Sequence, residues 1–536
     1  MKLIVDKQII NINQVTTLEQ IAKEYFINQK IYAGIVNGKL KPLQEIIDKD
    51  TTIEWVLASS ITGKQIYERT LTFLFIVATK QLFNDAKITV EFTFQDGLYC
   101  TIEKENHLTP KDVEKIKLQM QKLVKKKSKI THCSLPKEEA INFFKQHGLE
   151  DKAELLHYRK KENCSVYTLE GFSDYFYGFM LPDTSYLNHF SLQFFAPGIR
   201  LGQYDVQLEY SKLFTIMKEY EDWGQLIGVP TVAKLNEKIV QGNINELMLM
   251  SEAMIEKKLA ELAYNVVQRK DTVKIILIAG PSSAGKTTFS KRLGIHLKIL
   301  GMQPVTLSMD DFYLNRKDTP KLPNGSYDYE NIEAVDLKLF NETMLKLIYH
   351  EPVCLPRYNF KTGLREYNDQ EILLKEGQIL IIEGIHGLNP RTSFYIPNTA
   401  KIKIYINALT HLNYDDHNRI ATSDYRLIRR IVRDFQFRNS SAKETISRWQ
   451  NVKNGEDKYI YPYQEEADYI FNTSMVYELA ILKPIAQKLL SQIGTGEKEY
   501  LEANRLNKLL DYFVSAKVEV PQVSILAEFV GNSIFE

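Results

Sequence analysis

The 536 residues carry 68 Lys+Arg against 67 Asp+Glu, a formal charge of +1, with 44% hydrophobic and 25% charged residues. That balance excludes a disordered chain and a globally basic nucleic-acid binder, and at roughly 100–200 residues per domain the length calls for about three or four domains. The 4 cysteines (Cys100, Cys133, Cys164, Cys354) are scattered without a C-x-x-C pair, which excludes a disulfide scaffold, a zinc ribbon and an iron–sulfur site and fits a reducing cytosol. The longest apolar run, Leu71 to Thr79, is far short of the ~20 residues of a spanning helix, so no membrane contact and a soluble, cytoplasmic chain are expected.

Residues 1–60 read as a small module. An alternating strand is predicted from Lys2 to Ile12, followed by a helix capped at Thr16-Thr17 with Leu18, Ile21, Ala22 and Tyr25 on one face. Asn37-Gly38 supplies the positive φ angles of a tight hairpin, and Thr51 to Leu57 closes as another strand, a β-grasp-like order. Residues 61–240 mix helices and strands in an α+β pattern. Within them Thr109-Pro110 and Asp112 are a cap, an N1 proline and an acidic N3 residue for a helix whose stripe is Val113, Ile116, Met120, Leu123 and Val124. Lys125 to Lys127 at its end could meet RNA phosphates, but lysines there also complement the helix macrodipole, and that reading is favoured.

From residue 241 to 495 a long helix, Asn243 to Lys270, leads into the strand Lys274 to Ala279, and strands then alternate with helices, the rhythm of a doubly wound α/β domain with a parallel sheet. A tail, 496–536, holds one helical stretch from Tyr500 to Phe513, then Pro521 and a last apolar segment.

Directly after the Lys274–Ala279 strand comes Gly280-Pro281-Ser282-Ser283-Ala284-Gly285-Lys286-Thr287-Thr288, then a helical pattern: G-x-x-x-x-G-K-[ST] in its required context. Glycines let backbone N–H groups turn toward phosphates, the helix N-terminus adds positive potential, Lys286 reaches the outer phosphates, and the Thr287 hydroxyl suits Mg²⁺. The chain is expected to bind a nucleoside triphosphate. No Asn-Lys-x-Asp guanine reader accompanies the loop.

Two further strands end in carboxylates. Pro304 to Met309 runs into Asp310-Asp311, where a carboxylate could accept a hydroxyl proton, and Gln378 to Ile382 runs into Glu383, where a carboxylate organises Mg²⁺. Arg426, Arg429, Arg430 and Arg433 recur at i, i+3, i+4 and i+7, with Arg438 beyond. With only Asp424 and Asp434 nearby, this stripe is expected to be an uncompensated lid over transferring phosphates.

These segments, with Phe312-Tyr313, Tyr329-Glu330, Pro356-Arg357-Tyr358-Asn359-Phe360 and Arg429 to Asp434, resemble the phosphoribulokinase/uridine kinase family over about residues 272–490. The resemblance implies ATP with Mg²⁺, Asp310 as general base, and a metal held by Thr287, Asp310 and Glu383. It also implies Tyr313 and Tyr358 against a nucleoside, Glu330 at the ribose hydroxyls, and Arg430, Arg433 and Arg438 as lid arginines. Uridine kinases carry a base-reading histidine at the position occupied here by Gly363. The front half resembles threonyl-tRNA synthetase, residues 1–60 its TGS module and 61–220 its editing domain. The four positions matched to the editing histidines and cysteine are Arg69, Phe73, Phe176 and Met180, which neither ligate metal nor shuttle protons. The expected activity is phosphorylation of a nucleoside 5′-hydroxyl. Another small hydroxyl acceptor, and an ATP-switched regulator whose N-terminal half grips RNA, stay open as alternatives, as does homo-oligomerisation.

Overall fold

The computed structural model describes residues 1–6 and 8–535. The N-terminal module is a five-stranded sheet in the order Gln8–Asn11, Lys2–Val5, Thr51–Leu57, Ile31–Val36, Lys39–Pro42. The single strand expected from Lys2 to Ile12 is therefore two antiparallel strands, Lys2 opposite Asn11, with Lys7 outside the described residues. Asp6 turns the chain at φ 45°, a conformation short polar side chains tolerate. Thr17 caps the helix Leu18–Tyr25 reciprocally with Gln20, and Leu18, Ile21 and Ala22 are buried. Tyr25, expected on the same face, is exposed instead, because the helix is already ending there. Asn37 and Gly38 take φ 48° and 75°, as the tight turn between adjacent strands requires.

The second region packs the helix Ile61–Leu82 and the helix Pro110–Lys126 on a four-stranded antiparallel sheet. The apolar run Leu71–Thr79 is buried in this core, and no helix among the described residues is long and apolar enough to cross a membrane. Thr109 and Asp112 form the capping box, with Val113, Ile116, Met120 and Leu123 buried. Of the lysines that end this helix, Lys126 pairs with Glu170 at 2.6 Å and Lys127 caps it in the left-handed region.

Arg69, Phe73, Phe176 and Met180 meet in the same region. Phe73 and Phe176 are 5.3 Å apart edge to face, Met180 is buried, and Arg69 Nη1 donates to the Phe179 carbonyl at 2.7 Å beneath Gly178. Packing fills the place.

The third region holds a parallel sheet in the order Gln303–Ser308, Gln378–Glu383, Ile275–Ala279, Lys401–Asn407, Tyr469–Asn472. Its central strand is fully buried, as the covering helices on both faces demand. One apolar core joins helices of residues 137–158 to the sheet's helices and to Ile525, Leu526 and Phe529 of the tail. The tail helix is Tyr500–Leu510, three residues shorter than its pattern suggested, and the chain then returns to the phosphate-binding loop.

A buried charged cluster also links the second and third regions. Lys152 Nζ lies 2.7 Å from Asp415 and 3.1 Å from Asp174, and Asp174 in turn holds His417 Nδ1 at 2.6 Å.

Candidate functional site

The carboxyl ends of three adjacent parallel strands converge on one crevice. Ile275–Ala279 delivers the loop 280–287, Gln303–Ser308 delivers Asp310, and Gln378–Glu383 delivers Glu383. Ser308 and Glu383 are register partners, so the Ser308 hydroxyl donates to Glu383 Oε1 at 3.1 Å while also accepting the Asp310 N–H at 3.3 Å. Burial pushes the Asp310 carboxyl up, opposed by Lys286, Arg438 and Arg433. Burial and then the neighbouring Asp310 push Glu383 up to about 7. Two desolvated carboxylates that repel each other favour a shared cation or a shared proton. They are hard oxygen donors of the kind Mg²⁺ takes alongside phosphate oxygens and waters, and the Thr287 hydroxyl next to Lys286 is exposed.

The loop itself is held from behind. Ser283 and Gly285 have φ 60° and 83°, and a Cβ on Gly285 would meet Ile525 at 2.5 Å. Arg426 donates to the Ser282 carbonyl at 3.1 Å, Arg429 to the Ser283 carbonyl at 3.2 Å, and Thr473 to the Ala284 carbonyl at 2.7 Å. Glu456 accepts the Ser282 N–H at 3.0 Å. The Lys286 ammonium, its pKa lowered by burial, donates to the Gly280 and Pro281 carbonyls.

The arginine stripe is not the uncompensated lid its spacing suggested. Arg426 is buried in a two-pronged pair with Glu456, at 2.5 and 2.7 Å, and Arg429 is buried in a two-pronged pair with Glu478. Asp424 is spent on Arg505. The helix Thr422–Arg438 is thus a core element whose first half is neutralised by partners distant in sequence. Its second half keeps the free charge: Arg430, Arg433 and Arg438 share Asp434, and Arg430 Nη1 also donates to Ser282 Oγ at 2.8 Å. Burial and then the like charge of Arg438 lower Arg433 to about 10.

Across the crevice lies an aromatic cluster. Tyr313 and Tyr358 are 5.7 Å apart, Phe360 is 4.9 Å from Tyr358, and Tyr313 donates to the Tyr329 carbonyl. Both tyrosines are buried among their neighbours, and Phe360 is the ring that faces outward. The Tyr358 hydroxyl is buried and makes no hydrogen bond among the described residues. Glu330, pushed up to about 7 by burial and opposed by Arg430, lies near Lys286 and Asp310. Arg316 stands over Gly363 and donates to the Tyr329 hydroxyl and the Phe360 carbonyl, so a guanidinium fills the space beside that glycine.

The sequence profile of the Phosphoribulokinase / Uridine kinase family matches residues 275–480. Residues 275–480 form a P-loop kinase domain of that family. The N-terminal half of the chain is similar to threonine–tRNA ligases. That of Clostridioides difficile is 29% identical over 203 residues, 37% of this chain and 32% of the relative. That of Symbiobacterium thermophilum is 31% identical over 195 residues, 36% of this chain and 30% of the relative. The chain thus spans about a third of the length of these curated relatives. Solved structures similar to the kinase part include one titled a possible uridine kinase from Bacillus stearothermophilus, 15% identical over 39% of this chain and 100% of that chain, TM-score 0.24. D-glycerate 3-kinase from Cryptococcus neoformans is 12% identical over 41% of this chain and 96% of that chain, TM-score 0.29.

Several residues around the kinase site carried no local signal. Glu456 and Thr473 hold the loop from 174 and 189 residues away in sequence, and Glu478 holds Arg429 from 49 residues away. The surplus of arginines over nearby acids was the one hint that such partners exist. His386, three residues after Glu383, is buried with neither ring nitrogen bonded to another side chain, and burial lowers it to about 3, so it stands neutral beside the site. Asp311 accepts the Tyr358 N–H at 3.4 Å and so ties the aromatic strand to the strand end that carries Asp310.

Proposed function

We propose that the kinase domain transfers the γ-phosphate of ATP to a hydroxyl of a small acceptor, and that the acceptor is a nucleoside presenting its 5′-hydroxyl. The observation that carries this reading is that Asp310, at the end of its strand, lies near both Lys286 of the loop and Glu330, where a base is within reach of a donor phosphate and an acceptor alike.

The acceptor hydroxyl gives its proton to Asp310 as its oxygen bonds to the γ-phosphorus. The bond from that phosphorus to the β,γ-bridging oxygen breaks, and ADP leaves with the electron pair. Lys286, Arg430 and Arg433 face the charge that develops, and their fixed positions cost no reorganisation during the transfer. Thr287, Asp310 and Glu383 would hold Mg²⁺, which supplies charge neutralisation at the phosphates. The nucleoside assignment rests on the edge-to-face aromatic cluster of Tyr313, Tyr358 and Phe360, with Phe360 the exposed ring, together with Glu330, a carboxylate of the kind that accepts from sugar hydroxyls. Arg316 above Gly363 gives the base side a donor-only group.

The test is a phosphate-transfer screen of ribo- and deoxyribonucleosides, sugar phosphates and small hydroxy acids with Mg-ATP, read by ADP release and by mass of the product. A nucleoside monophosphate supports the reading. A phosphorylated hydroxy acid would keep the chemistry and replace the acceptor, and ADP formed at one rate with or without every acceptor would replace the kinase with an ATPase.

A further inference from the structure

The C-terminal segment places a carboxylate in the phosphate cradle. Glu528 Oε2 accepts from the Thr288 N–H at 3.2 Å and from the Thr288 hydroxyl at 2.8 Å. That amide belongs to the first turn of the helix Lys286–Ile299, where N–H groups with no partner in the helix bind phosphate oxygens. The Glu528 charge also acts on Lys286, Glu383, Arg429 and Arg433, the groups that ring the loop.

The segment is fastened on both sides of this contact. Ile525 packs on Gly285, so closely that any side chain there would collide. Phe529 lies under the Arg429 guanidinium, 4.7 Å from ring centre to Cζ, and Leu526 and Phe529 are fully buried. Lys291 on the loop's own helix donates to the Phe535 carbonyl. These anchors hold Glu528 against Thr288 without needing the carboxylate itself, so the side chain is free to swing out while the backbone stays docked.

We propose that Glu528 is an autoinhibitory phosphate mimic, occupying donors of Thr288 that a bound nucleotide needs, so that nucleotide must displace the carboxylate before it seats. The proposal rests on the loop being a nucleoside triphosphate site. A carboxylate and a phosphate oxygen compete for the same N–H and hydroxyl, and their negative charges exclude each other at this distance. The nucleotide-competent state is therefore a fraction of the population, and the apparent dissociation constant is raised by the inverse of that fraction.

The experiment measures binding of ATP and of adenosine to the full chain by calorimetry, for the wild-type protein, Glu528→Gln and Glu528→Ala. Both variants should bind ATP on the order of tenfold more tightly, with adenosine binding unchanged because it brings no phosphate to the contested donors. Thermal unfolding of each variant, followed alongside, checks that the tail still docks. Equal or weaker ATP binding in both variants would overturn the inhibitory role and make Glu528 a helix cap or a wall of the nucleotide site. ATP binding to none of the three proteins would overturn the nucleotide reading itself, and the mimic with it.

Discussion

Replacing Lys152 by methionine tests whether the N-terminal half is fastened to the kinase domain by charge. The ammonium is fully buried, 2.7 Å from Asp415 and 3.1 Å from Asp174, so at an effective dielectric constant near 20 the two attractions come to about 6 and about 5 kcal/mol. Burying each ion costs several kcal/mol in the opposite direction, and the measurable loss on deleting one partner of such a cluster is ~3–5 kcal/mol. Methionine keeps the length and the apolar stem, so the deficit is electrostatic rather than a cavity. The sign of its pH dependence follows from the partners. Burial alone would raise Asp174, but Lys152 and His417 outweigh it and hold the carboxyl below its ordinary value, whereas burial keeps Asp415 raised to about 6 against the pull of Lys152. In the wild-type protein the Asp174 contribution is present above the ordinary carboxylate range and is lost as pH falls through the depressed value. In the variant the two carboxylates face each other without the ammonium between them and only His417 remains on Asp174, so their folded pKa values rise and stability is regained as pH falls toward about 5. Urea unfolding followed by circular dichroism at about pH 7 and about pH 5 should therefore show the full deficit at the higher pH and a smaller one at the lower. A loss under about 1 kcal/mol at neutral pH, or one that ignores pH, would refute the reasoning. The consequence reaches the site, because Asp415 and His417 lie just before the helix Thr422–Arg438 that carries Arg430 and Arg433.

Lys286→Ala should abolish ATP-dependent turnover and leave the thermal melt unchanged, since among the described residues the ammonium hydrogen-bonds two loop carbonyls and nothing else. Asp310→Asn should lower kcat by roughly 10²–10⁴ with acceptor KM little changed, in steady-state assays; the same loss in Asp311→Asn alone would move the base to Asp311, which otherwise only steadies the Tyr358 strand. Tyr358→Phe removes a buried hydroxyl that has no hydrogen-bond partner among the described residues, so stability should hold or rise while acceptor KM climbs about fivefold, the worth of one hydrogen bond to the substrate; an unchanged KM would place the acceptor elsewhere.

Local chemistry is what made the third region legible. The strand, the glycines, Lys286 and the helix of the loop are contiguous, and Asp310 and Glu383 each announce themselves at the end of an apolar strand, because a parallel sheet puts its ligand crevice at those ends. The Asn37-Gly38 hairpin and the Thr109–Asp112 cap were equally local, and both form. What escaped is what the fold brings together across long separations. No window around Arg426 contains Glu456, and none around Thr288 contains Glu528, 240 residues later. The Lys2–Ile12 stretch misled for a different reason: the period of two survives a tight reversal, so two edge strands and one long strand write the same pattern.

The division within the arginine helix has a chemical logic of its own. The carbonyls of Ser282 and Ser283 must be satisfied somewhere if the loop's N–H groups are to point at phosphate, and a buried loop cannot leave them to water. A neutral donor would do this weakly, and a lone buried cation would add charge where it is costly to desolvate. Arg426 and Arg429 solve both difficulties by pairing with Glu456 and Glu478, which cancels their charge, while the remaining guanidinium hydrogens reach the loop carbonyls. Lysine could not serve, since one ammonium lacks the planar fork that grips a carboxylate with two hydrogens and still reaches sideways. The uncancelled charge is left to Arg430, Arg433 and Arg438, which share one aspartate between them and lie toward the C-terminal end of the same helix. One helix thus holds the loop with its paired half and keeps its charge in its unpaired half, and spacing alone cannot separate the two because the difference lies in acids that arrive from elsewhere in the chain.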